Sequence, residues 1–314
     1  MEFVPSLAEW ESDGTPSAVT IGMFDGVHRG HQYLLGVLKE RAEKLGLRCV
    51  VVTFDRHPRA AVAGSLPGSL LTPLPEKRAL LESLEMDVCA LIEVESGILS
   101  MDSRQFVQQY LVEKLAARVL VVGYDFRFGK GRSGDCSLLR SMGEDHGFHV
   151  VEAEPVLVDG CPVKSTRIRK LLLEGDTRSG AELLGRDYTV TGRVASGDRI
   201  GRTIGFPTAN VAYPQDKLLP AAGVYCGICA VGGVEWPAAI NFGRRPTVSA
   251  ADAPPLLEAH LPGFSGDIYD ETICLAFGPR LRGEVRFNGL DALREQIQRD
   301  VEMTERWYAE RLRA

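Results

Sequence analysis

Two histidines, His28 and His31, stand where a predicted strand passes into a predicted helix. The segment Val19–His31 reads V-T-I-G-M-F-D-G-V-H-R-G-H, and apolar residues recur at helical spacing after it. A helix N-terminus offers unpaired N–H groups and the positive end of a dipole, which both favour a phosphate. Gly30 leaves room for a ligand, and imidazoles can donate hydrogen bonds to it. The whole string indicates a phosphate-handling site, although either histidine alone is equally typical of an ordinary surface turn.

A second candidate group of phosphate ligands lies at Lys164–Lys170, which reads K-S-T-R-I-R-K and opens another predicted helix. Arginine can hold phosphate oxygens in a two-pronged fork, and hydroxyls at a helix N-terminus add donors. Cations at this end of a helix oppose its dipole, so a merely solvated basic turn is the less favoured interpretation. This basic segment is therefore predicted to contact phosphate.

A loop further upstream contains a different phosphate-binding pattern. Gly129–Gly134 reads G-K-G-R-S-G and fits the G-x-G-x-x-G of dinucleotide-binding folds. That alternative requires the first glycine directly after a strand, whereas a five-residue insertion separates it from the predicted strand Arg118–Gly123. The loop also carries Arg127, Lys130 and Arg132, more cations than a close backbone approach to pyrophosphate needs. The dinucleotide interpretation is therefore disfavoured.

Strands and helices alternate through the first half of the chain. The predicted strands are Ala18–Ile21, Arg48–Phe54, Val88–Val94, Arg118–Gly123 and His149–Ala153. The predicted helices include one that ends before Gly46, one over residues 76–86, and one over Ser103–Leu115 with Asp102 as its cap. This alternation predicts a parallel sheet covered on both faces, in which the loops after the first and fourth strands would meet if the strand order is 3-2-1-4-5. Ligands bind such sheets at the carboxyl ends of strands, where the order reverses.

The pattern changes near Gly185, where glycines become dense and helical periodicity disappears. The predicted strands are now Tyr188–Val194, Gly223–Val231, Glu235–Phe242, Leu256–Leu261 and Thr272–Phe277, separated by Gly/Pro turns. They predict a small antiparallel β-barrel, and an amphipathic helix follows from about Asp291. The sequence thus predicts two domains, residues 1–184 and residues 185–314.

Polar side chains in the second half could hold a metal–nucleotide complex. The segment Gly201–Asn210 reads G-R-T-I-G-F-P-T-A-N, in which Pro207 lacks an N–H. Thr208 and Asn210 face the same way on a strand, and their oxygens suit Mg²⁺ shared with substrate phosphates. Taken alone, P-T-A-N is equally typical of a turn and an edge strand. Glu258, which follows two leucines, is a candidate general base, although a lone carboxylate is more often structural.

Composition narrows the class of protein. The 314 residues carry a formal net charge of −6, which disfavours general nucleic-acid binding, and no apolar run long enough for a membrane span occurs. We expect no signal peptide at the N-terminus. Seven scattered cysteines favour a reducing cytoplasm, and Cys226 and Cys229 point to opposite faces of a predicted strand. Both are predicted to be packing residues rather than zinc or redox ligands.

The motifs resemble known enzyme families. G-x-F-D-G-x-H-x-G-H and S-T-x-x-R resemble the signatures of HxGH nucleotidyltransferases, which join a phosphate nucleophile to the α-phosphate of a nucleoside triphosphate. Over nearly its full length, the chain resembles the bifunctional prokaryotic riboflavin kinase/FAD synthetase family. Further motifs that carry this likeness are G-x-D-F-x-F-G-x-x-R-x-G, G-R-x-x-G-F-P-T-A-N, G-V-Y, N-x-G-x-x-P-T and E-x-H.

The resemblance implies an α/β fold, a Rossmann-like nucleotidyltransferase domain followed by a kinase barrel with a C-terminal helix. It implies that the barrel converts riboflavin and ATP to FMN and ADP, and that the first domain converts FMN and ATP to FAD and pyrophosphate. The flavin ring is expected between the barrel and the C-terminal helix. Riboflavin, FMN and ATP are the implied small-molecule partners, Mg²⁺ is the implied metal, and the oligomeric state is left open.

Site residues also follow from the resemblance. His28, His31 and Arg169 are implied to act on the triphosphate, and Glu258 to take the proton of the ribityl hydroxyl. Nucleotide and FMN in the first site are implied to contact Gly22, Phe24, Asp25, Gly30, Asp125, Phe128, Gly129, Arg132, Ser133, Ser165 and Thr166. Nucleotide in the kinase site is implied to contact Gly201, Gly205, Pro207, Thr208 and Asn210, of which Thr208 and Asn210 hold Mg²⁺.

Two departures from the family pattern are visible, and two alternatives remain. Met23 stands where members often carry a polar residue, and Lys164 replaces a serine often found before S-T-x-I-R.

The first domain could use another phosphorylated substrate or CTP, because the H-x-G-H motif alone does not determine the substrate. The barrel could be a regulatory flavin-binding module, but Thr208, Asn210 and Glu258 disfavour that, since flavin storage requires neither a metal site nor a base.

Overall fold

The computed structural model describes residues 1–56, 69–196, 205–243 and 255–313. These residues form two compact units, one drawn from positions 1–165 and the other from Ser69 and positions 166–313. The division falls before the change of pattern at Gly185, because the helix Thr177–Leu184 packs on strands of the second unit. Thr177 Oγ1, for example, donates a hydrogen bond of 2.5 Å to the carbonyl of Gly278.

The first unit is built on a six-stranded parallel sheet. Its strands are β1 (Glu2–Val4), β2 (Ser17–Ile21), β3 (Arg48–Phe54), β4 (Val88–Ile92), β5 (Ala117–Gly123) and β6 (His149–Ala153). They lie in the order β1-β4-β3-β2-β5-β6. The order 3-2-1-4-5, on which the meeting of the two loops depends, is therefore present, with the short strand β1 added at one edge beside β4. The order reverses between β2 and β5, which places a switch point there.

Helices cover both faces of this sheet. They are α1 (Arg29–Leu45), α2 (Leu74–Ser83), the turn α3 (Ser103–Phe106) and α4 (Cys136–His146). α1 ends at Gly46 in the left-handed conformation (φ 63°), as the glycine there predicts. Asp102 caps α3 as predicted, but the helix continues as a π-helix over Val107–Lys114 rather than as a regular α-helix. The β7 (Leu157–Val158) and β8 (Cys161–Pro162) hairpin follows β6, and α5 (Ser165–Leu173) comes next.

The second unit contains a closed six-stranded barrel. Its strands are β9 (Tyr188–Ala195), β10 (Thr208–Ala212), β11 (Gly223–Val231), β12 (Val234–Gly243), β13 (Leu256–His260) and β14 (Thr272–Arg282). They pair antiparallel in the order β10-β13-β12-β11-β14-β9, and β9 closes on β10. Buried side chains at alternate positions of the strands fill the interior, among them Val190, Tyr225 and Ile240. The predicted antiparallel barrel is confirmed.

Two helices pack against the barrel. α6 (Thr177–Leu184) packs on β9 and β14, and the long α7 (Leu290–Arg311) packs on β11 and β12. Arg282 of β14 holds α7 through hydrogen bonds from Nε and Nη2 to the buried carboxylate of Asp300, at 3.0 and 2.7 Å. The C-terminal helix is therefore confirmed. In the described part of the chain, no helix is long and apolar enough to cross a membrane.

Candidate active sites

A cavity of about 220 Å³ opens beyond the carboxyl ends of β5 and β6, beside the N-terminus of α1. Five of the predicted site residues line it, namely His28, Gly30, His31, Asp125 and Ser165. Tyr124 and Glu154 line it as well, and they directly follow β5 and β6. The rule that ligands meet the carboxyl ends of parallel strands could have found both from the sequence.

His28 performs a structural task at the N-terminus of α1. Its Nδ1 accepts a hydrogen bond of 3.3 Å from the N–H of His31, so the imidazole caps the helix. The two rings also stack, with their centroids 3.6 Å apart. Because Nδ1 accepts, the ring proton of neutral His28 lies on Nε2. In this tautomer Nε2–H is the hydrogen-bond donor of the His28 ring.

Phe24 and Gly30 fix the places of the two histidines. Phe24 is buried, and its ring lies edge-on to that of His31 at 5.2 Å between centroids. A Cβ at Gly30 would lie only 3.2 Å from Cε1 of the His28 ring. Gly22 is packed in the same way against the Phe24 ring. Phe24, Gly22 and Gly30 thus contribute packing that positions the imidazoles.

Asp25 is buried, and its carboxylate binds protein groups. It accepts hydrogen bonds from the backbone N–H of Leu71 at 3.2 Å and of Thr72 at 3.0 Å. The Thr72 hydroxyl in turn accepts from the N–H of Gly26 at 2.9 Å. On the other side, the Ser165 hydroxyl donates to the Asp25 carbonyl at 2.8 Å. Asp25 and Ser165 therefore hold the loop that carries the histidines.

Lys164 and Asp125 form an ion pair on the cavity lining, with Nζ and Oδ2 2.9 Å apart. The Lys164 ammonium also lies 5.3 Å from the centre of the Tyr124 ring. Hydrogen bonds to Tyr124 and Asp125 raise the pKa of Lys164 above its ordinary value. The lysine that departs from the family pattern is thus a charged part of the cavity.

The loop 128–133 lies outside the lining of this cavity. Phe128 is buried and packs on Phe106 and Phe126, while a Cβ at Gly129 would meet Ser103 at 2.7 Å. Arg132 and Ser133 are exposed, and Lys130–Arg132 forms one 3₁₀ turn rather than the start of a long helix. This geometry does not match a dinucleotide-binding turn, in agreement with the argument from spacing.

Two residues predicted for the first site lie in the second compact unit. Thr166 and Arg169 belong to α5, and the Arg169 Nε donates a hydrogen bond of 2.8 Å to the Ser69 carbonyl. This bond orients the guanidinium group. Their role toward a nucleotide stays a prediction.

The barrel brings three predicted kinase residues together. In the register of β10 and β13, Thr208 lies opposite His260 and Asn210 lies opposite Glu258. Glu258 also lies opposite Asn241 of β12. Residues directly opposite in antiparallel strands have Cβ atoms about 4.5–5.5 Å apart. The amides of Asn210 and Asn241 therefore flank the Glu258 carboxylate on the partly exposed face of the barrel.

Pro207 and Thr208 also border a second cavity, of about 480 Å³, at one end of the barrel. Its other walls include the aromatic residues Phe264 and Tyr269. His260 Nδ1 lies 2.7 Å from the Pro207 carbonyl, which ties the start of β10 to β13. Phe264 and Tyr269 were not singled out from the sequence, because they lie on an irregular loop with no recognisable spacing.

Other predicted groups are placed as follows. Gly205 adopts φ 91° just before β10, whereas Gly201 and the Pro246-Thr247 part of the N-x-G-x-x-P-T motif lie outside the described residues.

Cys226 and Cys229 are buried free thiols. Burial raises the pKa of Cys229 to about 12 and also raises that of Cys226. In the described residues, no cluster of three or more His, Cys, Asp or Glu side chains could hold a metal ion.

Comparison with known proteins gives two family matches. The FAD synthetase family model matches residues 11–167, and the riboflavin kinase model matches residues 184–308. A bifunctional riboflavin kinase/FMN adenylyltransferase of Pseudomonas fluorescens is 38% identical over 96% of both chains. The chain belongs to this bifunctional family. The Escherichia coli (strain K12) relative is 37% identical over 92% of this chain and 91% of its own.

A solved structure has the same fold over nearly the full length of this chain. It is described as a macrolide-efflux protein of Streptococcus pneumoniae, and it is 28% identical with a TM-score of 0.88. The match covers 98% of this chain and 100% of that one. Membership of the riboflavin kinase/FMN adenylyltransferase family makes the chain an enzyme with both activities, in flavin cofactor biosynthesis.

Proposed function

We propose that adenylylation of FMN takes place in the cavity beside α1. His28 Nε2 and His31 donate hydrogen bonds to the nucleotide phosphates, together with the N-terminus of α1 and, from the basic segment, Arg169. The FMN phosphate is already a nucleophile, so these groups need only align it with the α-phosphate and neutralise the charge that develops. Pyrophosphate leaves. The observation that carries this proposal is the stacked, helix-capping histidine pair on the cavity wall.

Riboflavin is phosphorylated on the β10–β13–β12 face of the barrel. Glu258 takes the proton of the ribityl hydroxyl as that oxygen attacks the γ-phosphate of ATP. The cavity bordered by Thr208, Phe264 and Tyr269 receives the nucleotide, since its aromatic walls suit a base. The family relation and these neighbouring residues support the assignment. The flavin ring lies between the barrel and α7.

Magnesium fits the oxygen donors of this face. Thr208 and Asn210 are two residues apart on β10 and therefore share a face, beside Glu258. A hydroxyl and an amide oxygen are ligands that suit Mg²⁺ when substrate phosphates complete its shell. Bound Mg²⁺ would neutralise phosphate charge. Thr208 and Asn210 would orient that complex toward the ribityl hydroxyl.

The direct test is a product assay. Purified protein is incubated with riboflavin, ATP and Mg²⁺, and FMN and FAD are separated by chromatography. We expect FMN to appear first and FAD to follow, and we expect chelation of Mg²⁺ to stop FMN formation. FMN supplied with CTP in place of ATP should give no dinucleotide. Conversion of FMN with CTP, or binding of riboflavin without phosphorylation, would contradict the assignment.

We also propose that the boundary between the two catalytic domains lies near Gly185 in the chain, as the change in sequence pattern predicts. The matches to residues 11–167 and 184–308 support this boundary. The fragment 185–314 should fold and phosphorylate riboflavin without making FAD. The fragment 166–314 is a matched control that keeps the Thr177–Gly278 bond and the Leu172 carbonyl that accepts from Ala221. Thermal melts and FMN assays of both fragments test this proposal, and a folded 185–314 without kinase activity would refute it.

The cytoplasm is the compartment we propose. All seven cysteines are free thiols, and five of them are buried. Such thiols persist where glutathione and thioredoxin keep cysteines reduced. Fractionation of cells that produce the protein, followed by both product assays, would place it.

A further inference from the structure

A lysine ammonium is buried beneath the loop that carries the active-site motif, here called the signature loop (Gly22–Val27). Lys77 lies in α2 and is only 4% exposed. Its Nζ donates a hydrogen bond of 3.2 Å to Thr53 Oγ1, and Thr53 Oγ1 donates one of 3.2 Å to the Met23 carbonyl. Thr53 is fully buried at the end of β3. The lysine is thus linked to the backbone of the signature loop through one hydroxyl.

A buried ammonium is costly unless nearby groups compensate it. Burial lowers the pKa of Lys77 below its ordinary value, and the carboxylates of Asp25 and Asp55 act in the opposite direction. Asp25 is itself buried within the signature loop. A methionine or leucine would fill the same volume without this cost, so packing alone does not account for a lysine here.

The signature loop has a conformation that needs external support. Phe24 has φ 47° and Val27 has φ 38°, both in the left-handed region that side chains, and β-branched ones above all, rarely adopt. Strain of this kind persists only where the surroundings fix the backbone. Hydrogen bonds from residues 71–72 to Asp25 hold one side of the loop. The Lys77–Thr53 chain holds the Met23 carbonyl on the other side.

We propose that Lys77 is a positioning residue of the adenylyltransferase site, which holds the signature loop through Thr53 and balances the buried charge of Asp25. Its effect reaches the chemistry through Phe24, whose ring contacts His31. The inference rests on the proposed role of His28 and His31. Misplacement of catalytic groups by about 1 Å can lower turnover by about 10².

The test compares three single variants of the full-length enzyme and the double variant Lys77→Met/Thr53→Val. Lys77→Met removes the charge and the donor at similar volume, Lys77→Arg keeps the charge, and Thr53→Val removes the relaying hydroxyl. Lys39→Met is the matched control, because Lys39 pairs with Glu85 on the surface of the same unit. Each variant is assayed for FAD formation from FMN, for FMN formation from riboflavin, and for its melting temperature.

We expect Lys77→Met to lower kcat of FAD formation by about 10² and to change KM for ATP by less than about threefold. Thr53→Val should lower kcat by about tenfold, and the double variant should be no worse than Lys77→Met, since both act along one chain. Kinase activity and Lys39→Met should stay at wild-type levels. On the alkaline side, FAD formation by the native enzyme should fall as Lys77 loses its proton, and Lys77→Arg should retain activity there.

Three results would overturn the proposal. The first is unchanged FAD turnover in Lys77→Met. The second is a joint loss of ATP binding and turnover in that variant, which is the result expected for a purely structural lysine. The third is additivity of the effects of Thr53→Val and Lys77→Met on kcat. If Lys77→Met does not fold, Thr53→Val, which keeps the charge and the volume, decides the question by its kcat and KM. Substitution of His31 distinguishes the two levels of inference, because unchanged FAD formation in that variant refutes the proposed site itself.

Discussion

Substitution of His28 separates its two tasks, the capping of α1 and the donation of a hydrogen bond to phosphate. His28→Ala removes both. His28→Asn keeps a good capping side chain but removes the Nε2–H donor and the stack on His31. Asparagine is among the best N-cap residues, so the two variants differ mainly in helix stability.

The magnitudes keep the two effects apart. Loss of a cap costs about 0.5–2 kcal/mol, and the 3.3 Å bond of His28 places this cap toward the lower end. For a unit of this size, about 1 kcal/mol lowers the melting temperature by about 2–4 °C. Against a total of about 5–15 kcal/mol, the folded fraction hardly changes. A fall in turnover of about 10²–10³, which is usual for one lost preorganised donor, therefore reports on the site.

The assay measures both products from the same preparation, so the kinase serves as an internal control. We expect FAD formation from FMN to fall by about 10²–10³ in His28→Ala and in His28→Asn, and FMN formation to be unchanged. The melting temperature should fall further in His28→Ala than in His28→Asn, because only the alanine variant loses the cap as well as the stack. If His28→Asn retained wild-type FAD turnover, the imidazole would be a cap and not a phosphate ligand. Equal loss of both activities in a folded variant would refute the two-site arrangement.

Two further substitutions test the remaining assignments. Glu258→Gln removes the carboxylate without changing the volume of the side chain. Kinase turnover should fall by about 10²–10⁴, while FAD formation from supplied FMN persists. Normal FMN production would show that Glu258 is structural. Lys164→Met should raise KM for ATP several-fold at low salt, because the first cavity loses a positive charge, and the difference should shrink at high ionic strength. Asp125→Asn completes a double-mutant cycle with Lys164→Met. The coupling between Lys164 and Asp125 should be below about 1 kcal/mol, because the pair is exposed. Initial rates at two salt concentrations provide the measurement.

Features that depend on neighbouring residues were predictable from the sequence. The end of α1 at Gly46, the cap at Asp102 and the strand β3 follow from local signals, and the alternation of strands and helices then restricts the sheet order. The histidine pair was found in the same way, because a strand, a turn and a helix follow one another within a short segment. β1 was missed because three residues are too few to show a period.

Contacts between distant parts of the chain could not be predicted. The Asp25 carboxylate binds the backbone of residues 71–72, which carry no motif, and its predicted contact with a nucleotide stays a prediction. Lys77 is a charged residue on a short helix, where a solvated position is the usual outcome. Phe128 and Gly129 fit a family motif, which does not show that they pack on the segment around Ser103. In each case the polar or aromatic type was visible, and only its partner was not.

The two sites owe their geometry to different physical causes, and this difference explains which parts of each site could be predicted from the sequence. The first depends on a strained turn whose φ values at Phe24 and Val27 require support from outside the motif. The second depends on register, because Asn210, Glu258 and Asn241 meet only in one pairing of three strands. A slip by one residue would turn Glu258 toward the barrel interior. Closure of β9 on β10, where the backbone of Gly192 approaches Ala212 so closely that a Cβ would meet its carbonyl, helps to fix that register.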